Sequence, residues 1–216
     1  MSLSSNSEYK KPEEYVGEMK YNKKHGKGTM TYSNGDVYEG EWNDDKKHGK
    51  GLLKFTNGDI YEGKFLNDKF IEGTVYSCDD VYKGEWKDNK RNGKGTMAYH
   101  DGNTYEGEFL DNKPHGKGIF KSMEGTVYDG EFKNGIIHGR GTKTYCFGDV
   151  YVGEFLDSKI HGKGTMKYSD GTIYEGEWIN DNKHGTGLMK YSDGNIYEGE
   201  FLDSKIHGKG TMKYSD

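Results

Sequence analysis

The sequence predicts an all-β fold, an elongated single-layer ribbon of antiparallel β-hairpins made of about nine units of 23 residues. Three observations carry this. A tyrosine recurs as Tyr15, Tyr38, Tyr61, Tyr82, Tyr105, Tyr128, Tyr151, Tyr174 and Tyr197. Its spacing is 23 residues everywhere except Tyr61 to Tyr82, which is 21, and a fixed period in this range marks a repeat array. Around each tyrosine, large side chains and glycines alternate with charged ones at the strand period of two.

The unit between Tyr38 and Tyr61 shows the pattern. Tyr38, Gly40 and Trp42 alternate with Glu39 and Glu41, which reads as a first strand. Asn43 to His48 reads as a polar loop. Gly49, Gly51, Leu53 and Phe55 then alternate with Lys50, Leu52 and Lys54 as a second strand, and Thr56-Asn57-Gly58 turns the chain into the next unit. In the first unit, Tyr38 has to share a face with Met30. A one-residue slip would flip every side chain, so the connection Ser33-Asn34-Gly35 is expected to be a three-residue loop with a left-handed glycine last and a G1 bulge. That register sets Met30 opposite Tyr38, Gly28 opposite Gly40 and Gly26 opposite Trp42, with Trp42 facing Gly49 on its other side. The glycines leave room for rings to lie flat on the sheet. The opposite face should carry a ladder of charges, Glu41 with Lys50, Glu108 with Lys117 and Glu154 with Lys163, worth roughly 0.2–1 kcal/mol per pair.

Composition agrees with a repeat fold and excludes other classes. Hydrophobic residues are 31% of the 216, mean hydropathy is −1.08 and glycine numbers 34. A random chain of this balance would be disordered; the aromatic content and the strict period supply the order. The formal charge of −5 gives no basic field for nucleic acid. No apolar run reaches membrane-spanning length, and MSLSSNSEYKKPEE lacks the apolar core of a secretion signal. Residues 1–14 are expected to be a flexible lead and 15–216 the array. Cys78 and Cys146 lie three units apart, roughly 30 Å at ~4.8 Å per strand. They are expected to be free thiols in a reducing compartment.

Candidate chemistry is sparse. His25, His48, His115, His138, His161, His184 and His207 share one register, but neighbouring copies about 10 Å apart cannot share a zinc with ~2.1 Å ligand bonds. They are expected to bond backbone groups. Every carboxylate is a copy of its neighbours, whereas a catalytic centre is one local arrangement. The Gly-x-Gly runs lack the helix that a phosphate loop requires. No enzyme activity, metal or cofactor is expected.

The run Tyr-x-Gly-Glu-Trp/Phe, a short loop, His-Gly-Lys-Gly-Thr-Met and a turn glycine before the next tyrosine resembles the MORN (membrane occupation and recognition nexus) repeat, from Tyr15 to Asp216. The resemblance implies a twisted ribbon with a shallow groove lined by aromatics. Members of that family are mostly scaffolds, in cytoskeletal and ciliary assemblies or at membranes. By this resemblance a protein partner would be docked by Tyr105, Phe109, Tyr128, Phe132, Tyr151, Phe155, Tyr174, Trp178, Tyr197 and Phe201. The position before the histidine is Lys24 and Lys47 early but Ile137, Ile160 and Ile206 late, a candidate contact strip along one edge. Lys117, Arg140 and Lys163 are candidate contacts for anionic lipid, each worth ~1 kcal/mol at a charged surface, although the acidic row beside them nearly cancels their field.

The expected role is a non-enzymatic scaffold that docks protein partners in the cytoplasm, in a cytoskeletal or ciliary assembly; the alternative is a peripheral tether for anionic lipid. The third unit, 61–81, loses its His-Gly pair and its turn glycine and is expected to kink or to alter the groove. The last unit is incomplete, and 201–216 repeats 155–170 residue for residue. A fragment of a longer array is expected, or a homodimer or end-to-end assembly through exposed edge strands.

Overall fold

A computed structural model describes residues 12–215. The expected lead at 1–14 therefore lies mostly outside the described residues. The chain forms two compact units, residues 1–93 and 94–216. The first holds β1 (Glu14–Lys20), β2 (Lys23–Thr31), β3 (Val37–Asn43), β4 (Lys46–Lys54), β5 (Ile60–Leu66), β6 (Lys69–Ser77) and β7 (Asp80–Lys87). β8 (Lys90–Ala98) spans the division. The second unit holds β9 (Thr104–Leu110), β10 (Lys113–Lys121), β11 (Val127–Lys133), β12 (Ile136–Thr144) and β13 (Val150–Leu156). It continues with β14 (Lys159–Lys167), β15 (Ile173–Ile179), β16 (Asn182–Lys190), β17 (Ile196–Leu202) and β18 (Lys205–Lys213). Within each unit every strand pairs antiparallel with its sequence neighbours, as in β2 with β3 and β15 with β16. The predicted hairpin array is the observed fold, with no helix among the described residues.

The connections between repeats follow the sequence reading. The Tyr32 N–H donates to the Asp36 carbonyl at 2.9 Å, and the Gly35 N–H donates back to the Tyr32 carbonyl at 2.8 Å. Gly35 has φ +90°, so the three-residue loop ends in the left-handed glycine its geometry needs. Met30 faces Tyr38, Gly28 faces Gly40 and Gly26 faces Trp42, as predicted.

Within a repeat the chain behaves differently from the prediction. Asn43 to His48 is not a loop. Asn43 pairs with Lys46, leaving a two-residue turn at Asp44 (φ 48°) and Asp45 (φ 67°). Two left-handed residues define the type I′ hairpin, whose twist matches that of the strands; Asp and Asn tolerate this conformation best after glycine. The residues that look surplus sit further along, in a bulge. Gly40 pairs with Gly51 and Glu41 with His48, so Gly49 and Lys50 are extruded, with Gly49 at φ +57°. The Glu41 carboxylate accepts the Lys50 N–H at 3.1 Å, filling the gap in the ladder.

This bulge corrects two expectations. Trp42 faces Lys47, not Gly49. Glu41, Glu108 and Glu154 face His48, His115 and His161, not Lys50, Lys117 and Lys163. The charge pairs form with the other neighbouring strand: Lys117 with Glu131, Arg140 with Glu154 and Lys163 with Glu177.

The short third unit keeps the pattern by shedding one residue on each side of Gly73. Phe65 pairs with Phe70 and Lys64 with Glu72, so only Ile71 is extruded. The exit turn is the two-residue pair Cys78 (φ 49°) and Asp79 (φ 67°). Val75 still faces Tyr82, and Tyr82 is buried on the same side as the other tyrosines. The predicted disturbance is absorbed by a change of turn type and a smaller bulge.

Neighbouring repeats are also stapled at their edges. At Asp45, Asp68, Ser158, Asp181 and Ser204 the second residue of the type I′ turn donates its N–H to a carbonyl of the repeat before, as Asp45 does to Lys24 (3.0 Å) and Asp181 to Ile160 (3.0 Å). Its side chain accepts the N–H of that same residue, at 2.8 Å in both cases. One repeat replaces both partners together. Pro114 has no N–H to give, and the turn residue that reaches it, Gly135, has no side chain to receive one; only the Gly135 N–H to Pro114 carbonyl bond remains, at 2.8 Å.

Candidate partner-binding surfaces

The aromatic residues expected to line a groove form the core instead. Outside the shortened unit the tyrosine rings lie along the sheet over two glycines; a Cβ on Gly153 or Gly164 would run into the Tyr151 ring. Its hydroxyl donates to the carbonyl three residues on, Tyr151 to Glu154 at 3.1 Å. The rings at Phe155 and Trp178 meet Tyr151 edge-on at 5.1 and 5.5 Å. The same contact repeats from Tyr105 to Phe201 with centroids 5.0–5.5 Å apart, near the preferred edge-to-face geometry. Trp178 also donates its Nε1–H to the Gly164 carbonyl at 3.2 Å. As a result Tyr105, Phe109, Tyr128, Phe132, Tyr151, Phe155, Tyr174, Trp178, Tyr197 and Phe201 are each at most 7% exposed. This corrects the groove expectation: a partner cannot reach the faces of rings that are already packed on glycine and on one another.

The expected isoleucine strip is corrected in the same way. Ile137, Ile160 and Ile206 face Phe132, Phe155 and Phe201 across the sheet, on the ring side rather than along an outer edge. Ile160 is 3% exposed, Ile137 half-buried and Ile206 49% exposed. In other repeats a lysine fills this place: Lys47 Nζ lies 5.4 Å from the Tyr32 centroid and 5.6 Å from that of Tyr38. Burial holds Lys47 below the usual lysine range, against the pull of Asp68.

The opposite face is open and polar. In the first unit it forms a concavity of about 820 Å³ across β2 to β6, floored by glycines and walled by Lys27, Lys50, Glu39 and Glu62. Concavities of about 510 and 870 Å³ lie on this face in the second unit. Lys117, Arg140 and Lys163 line the smaller one together with Asp129, Glu131 and Glu154. All three cations are exposed, and Arg140 lies 3.9 Å from Glu154. The histidines lie at the hairpin end of this face. His115 Nδ1 accepts the Asn134 N–H at 3.4 Å, and His138 Nδ1 lies 3.8 Å from Asp157. The Nδ1 atoms of His25, His48 and His161 are buried without a hydrogen-bond partner. Among the described residues no three His, Cys, Asp or Glu side chains gather as metal ligands, Cys78 and Cys146 are free and exposed, and no helix is long and apolar enough to cross a membrane.

One surface was passed over in the strand alternation: Leu110, Ile136, Leu156, Ile179 and Leu202 are exposed beside the type I′ turns of the second unit. They fall on the polar face, one residue beyond each buried ring or across from that position. An aliphatic residue where the period calls for a polar one was the signal available.

The MORN repeat model matches residues 15–37, 38–60, 82–104, 105–127, 128–150, 151–173, 174–196 and 197–216. The unmatched stretch is the shortened unit. No curated protein matches the chain. Among solved structures, the chain is similar to the TCP10 domain of Danio rerio CPAP in complex with a peptide of Danio rerio STIL: 12% identity, 88% of this chain, 84% of that chain and a TM-score of 0.49. It is also similar to the SAS-4 (dCPAP) TCP domain of Drosophila melanogaster in complex with a proline-rich motif of Ana2, with 13% identity, 82% and 85% coverage and a TM-score of 0.37.

Proposed function

Because the chain belongs to the MORN repeat family, we propose that it is a non-enzymatic scaffold whose polar face docks a protein partner, in a cytoplasmic assembly of the cytoskeleton or cilium. The observation that carries this reading is the concave face itself. It is wide, open and glycine-floored, and it displays both signs of charge side by side. Mixed charge of this kind selects a partner by complementarity and suppresses wrong ones. The ring layer behind it gives the surface a rigid, preformed shape. Edge pairing with a second copy belongs to the same proposal, because an exposed strand edge is a template for another strand.

The alternative is a tether for anionic lipid. It draws on Lys117, Arg140 and Lys163, but the three carboxylates in the same concavity oppose it, since headgroup attraction needs a net positive cluster.

Co-sedimentation separates the two. The chain is expected to pellet with the detergent-resistant cytoskeletal fraction and to stay in solution with neutral and with anionic vesicles at physiological salt. Retention on anionic vesicles at that salt, abolished by the combined Lys117→Glu, Arg140→Glu and Lys163→Glu variant, would replace the scaffold with the tether.

A further inference from the structure

On the polar face, side chains two residues apart along a strand stand in two rows, ~6.8 Å apart at ~3.4 Å per residue and roughly perpendicular to the sheet. Between the rows runs a floor of glycine backbone, one residue from each strand. It is Gly28, Gly40, Gly51, Gly63 and Gly73 from β2 to β6, and Gly164, Gly176, Gly187, Gly199 and Gly210 from β14 to β18. These floors underlie the concavities of about 820 and 870 Å³. Five strands at ~4.8 Å make each slot about 19 Å long. The row nearer the three-residue turns reads Thr29, Glu39, Leu52, Glu62 and Thr74 in the first slot. In the second it reads Thr165, Glu175, Leu188, Glu198 and Thr211, the same order of side chains in a separate compact unit. In both, a half-buried leucine stands between two exposed glutamates. The concavity of about 510 Å³ lacks this order: its row holds Asp129, Thr142 and Val152.

The slots select by shape and by charge. A single layer of atoms touching both walls needs about 7 Å, two contacts of ~3.5 Å, which is the spacing of the rows. An α-helix, ~10–12 Å across with its side chains, is too wide. So is an extended peptide, whose side chains alternate to both sides and fill ~10 Å between stacked sheets. A flat aromatic ring standing on edge fits, with one face against the leucine. The glutamates beside that leucine are two strands apart, about 9.6 Å, and a cleft wall of one sign concentrates the opposite charge. The facing row of the first slot is Lys27, Glu41, Lys50, Lys64 and Glu72, with Lys64 held by Glu72 at 2.8 Å. In the second slot the central lysine is replaced by Thr186, whose hydroxyl donates to Glu177 at 2.9 Å. That row is Lys163, Glu177, Thr186, Glu200 and Lys209. Three lysines thus stand against four glutamates in the first slot, and two against four in the second.

We propose that each slot binds an elongated, planar aromatic cation, laid across the strands with one face on Leu52 or Leu188 and its positive charge between the two flanking glutamates, and that the second slot binds it more tightly. The floor is preformed. Tyr38 lies against the far side of Gly40 and Gly51, and Tyr174 against that of Gly176 and Gly187, so binding orders little of the protein and keeps the affinity that ordering would cost. This site is independent of protein docking, and its failure leaves the scaffold reading as it stands.

The test is titration of the 216-residue chain with thioflavin T, a benzothiazolium cation whose emission rises when rotation between its two ring systems is blocked. Equilibrium dialysis counts the sites. Binding is expected to saturate at two molecules per chain, one per slot. The tighter site is expected to weaken at least tenfold in Leu188→Lys, and the weaker one at least tenfold in Leu52→Lys. Glu175→Gln with Glu198→Gln is expected to weaken the tighter site at least tenfold, and it replaces Leu188→Lys if circular dichroism shows that variant to be unfolded. Val152→Lys, in the concavity without the leucine, should leave both sites unchanged. Spermine, positive but not flat, and an anionic naphthalene sulfonate, flat but negative, are each expected to compete at least tenfold more weakly than the dye binds. Displacement by spermine at the dye's own concentration overturns the selection by shape, and displacement by the sulfonate overturns the selection by charge. Binding that does not saturate, or that is indifferent to the leucine variants and to the glutamine pair, overturns the proposal. So does a single site that only Leu52→Lys removes, because the more acidic slot has to be the tighter one.

Discussion

Raising the pH above 10 is expected to unfold the protein cooperatively, with tyrosinate absorbance appearing in the same transition. Burial pushes the hydroxyls of Tyr32, Tyr82, Tyr128, Tyr168 and Tyr174 up to about 12. Nearby carboxylates add to the effect, as Glu177 does for Tyr174 and Asp149 for Tyr168. Tyr38, Tyr105 and Tyr151 are raised too, again chiefly by burial. In the unfolded chain all of them ionise near 10. The folded state thus holds protons that the unfolded state releases. The stability this represents is complete below pH 10 and is lost as the pH climbs from 10 through about 12. Because these tyrosines occur in almost every repeat, their losses accumulate along each of the two units. Far-ultraviolet circular dichroism and tyrosinate absorbance, followed together in an alkaline titration, check this. Gradual ionisation near pH 10 with the sheet signal intact would refute the buried-ring core.

Replacing Tyr151 by alanine is expected to cost about 3–5 kcal/mol, the range for removing a large buried ring. Tyr151 is 0% exposed. Its loss would leave Gly153 and Gly164 uncovered and would separate Phe155 from Trp178, which now meet the two sides of its ring. Tyr151→Phe keeps the ring and deletes the hydroxyl with its hydrogen bond to the Glu154 carbonyl at 3.1 Å and its longer one to the His161 carbonyl at 3.5 Å, so about 1 kcal/mol is expected. Gly164→Val approaches the same site from below. Its side chain would enter the space of the Tyr151 ring, and overpacking of this kind costs about 1–3 kcal/mol or more. Urea denaturation of the three variants orders them. In a repeat protein each unit contacts only its neighbours, so the alanine variant should also uncouple the repeats on either side and broaden the transition. Equal midpoints for Tyr151→Ala and Tyr151→Phe would mean that the ring is not the element holding neighbouring repeats together.

The division between what was legible in the chain and what was not follows from the range of the forces involved. The repeat period, the strand alternation, the three-residue turn at Ser33-Asn34-Gly35 and the pairing of Met30 with Tyr38 are all readable from local pattern, because hydrophobic periodicity and turn chemistry act within a few residues. The loss of one residue on each side of Gly73 could be counted in the same way, but not the turn at Cys78 and Asp79 that absorbs it. Three features depended on groups meeting across strands. The extrusion of Gly49 and Lys50 requires the Glu41 carboxylate to take over a backbone N–H, and in the later repeats it moves the charge pairing to the other neighbour, as in Lys117 with Glu131 and Lys163 with Glu177. The burial of Tyr105 through Phe201 requires the rings of adjacent repeats to close edge-to-face over glycine, so residues that resemble a binding groove in one repeat become a core in many. Ile160 is drawn inward by the same packing, while Leu156, four residues earlier and on the opposite face, remains outside. Sequence by itself determined the family, the strands and their faces; tertiary structure decided which face is closed, because burial is a property of neighbouring repeats together and not of any one of them.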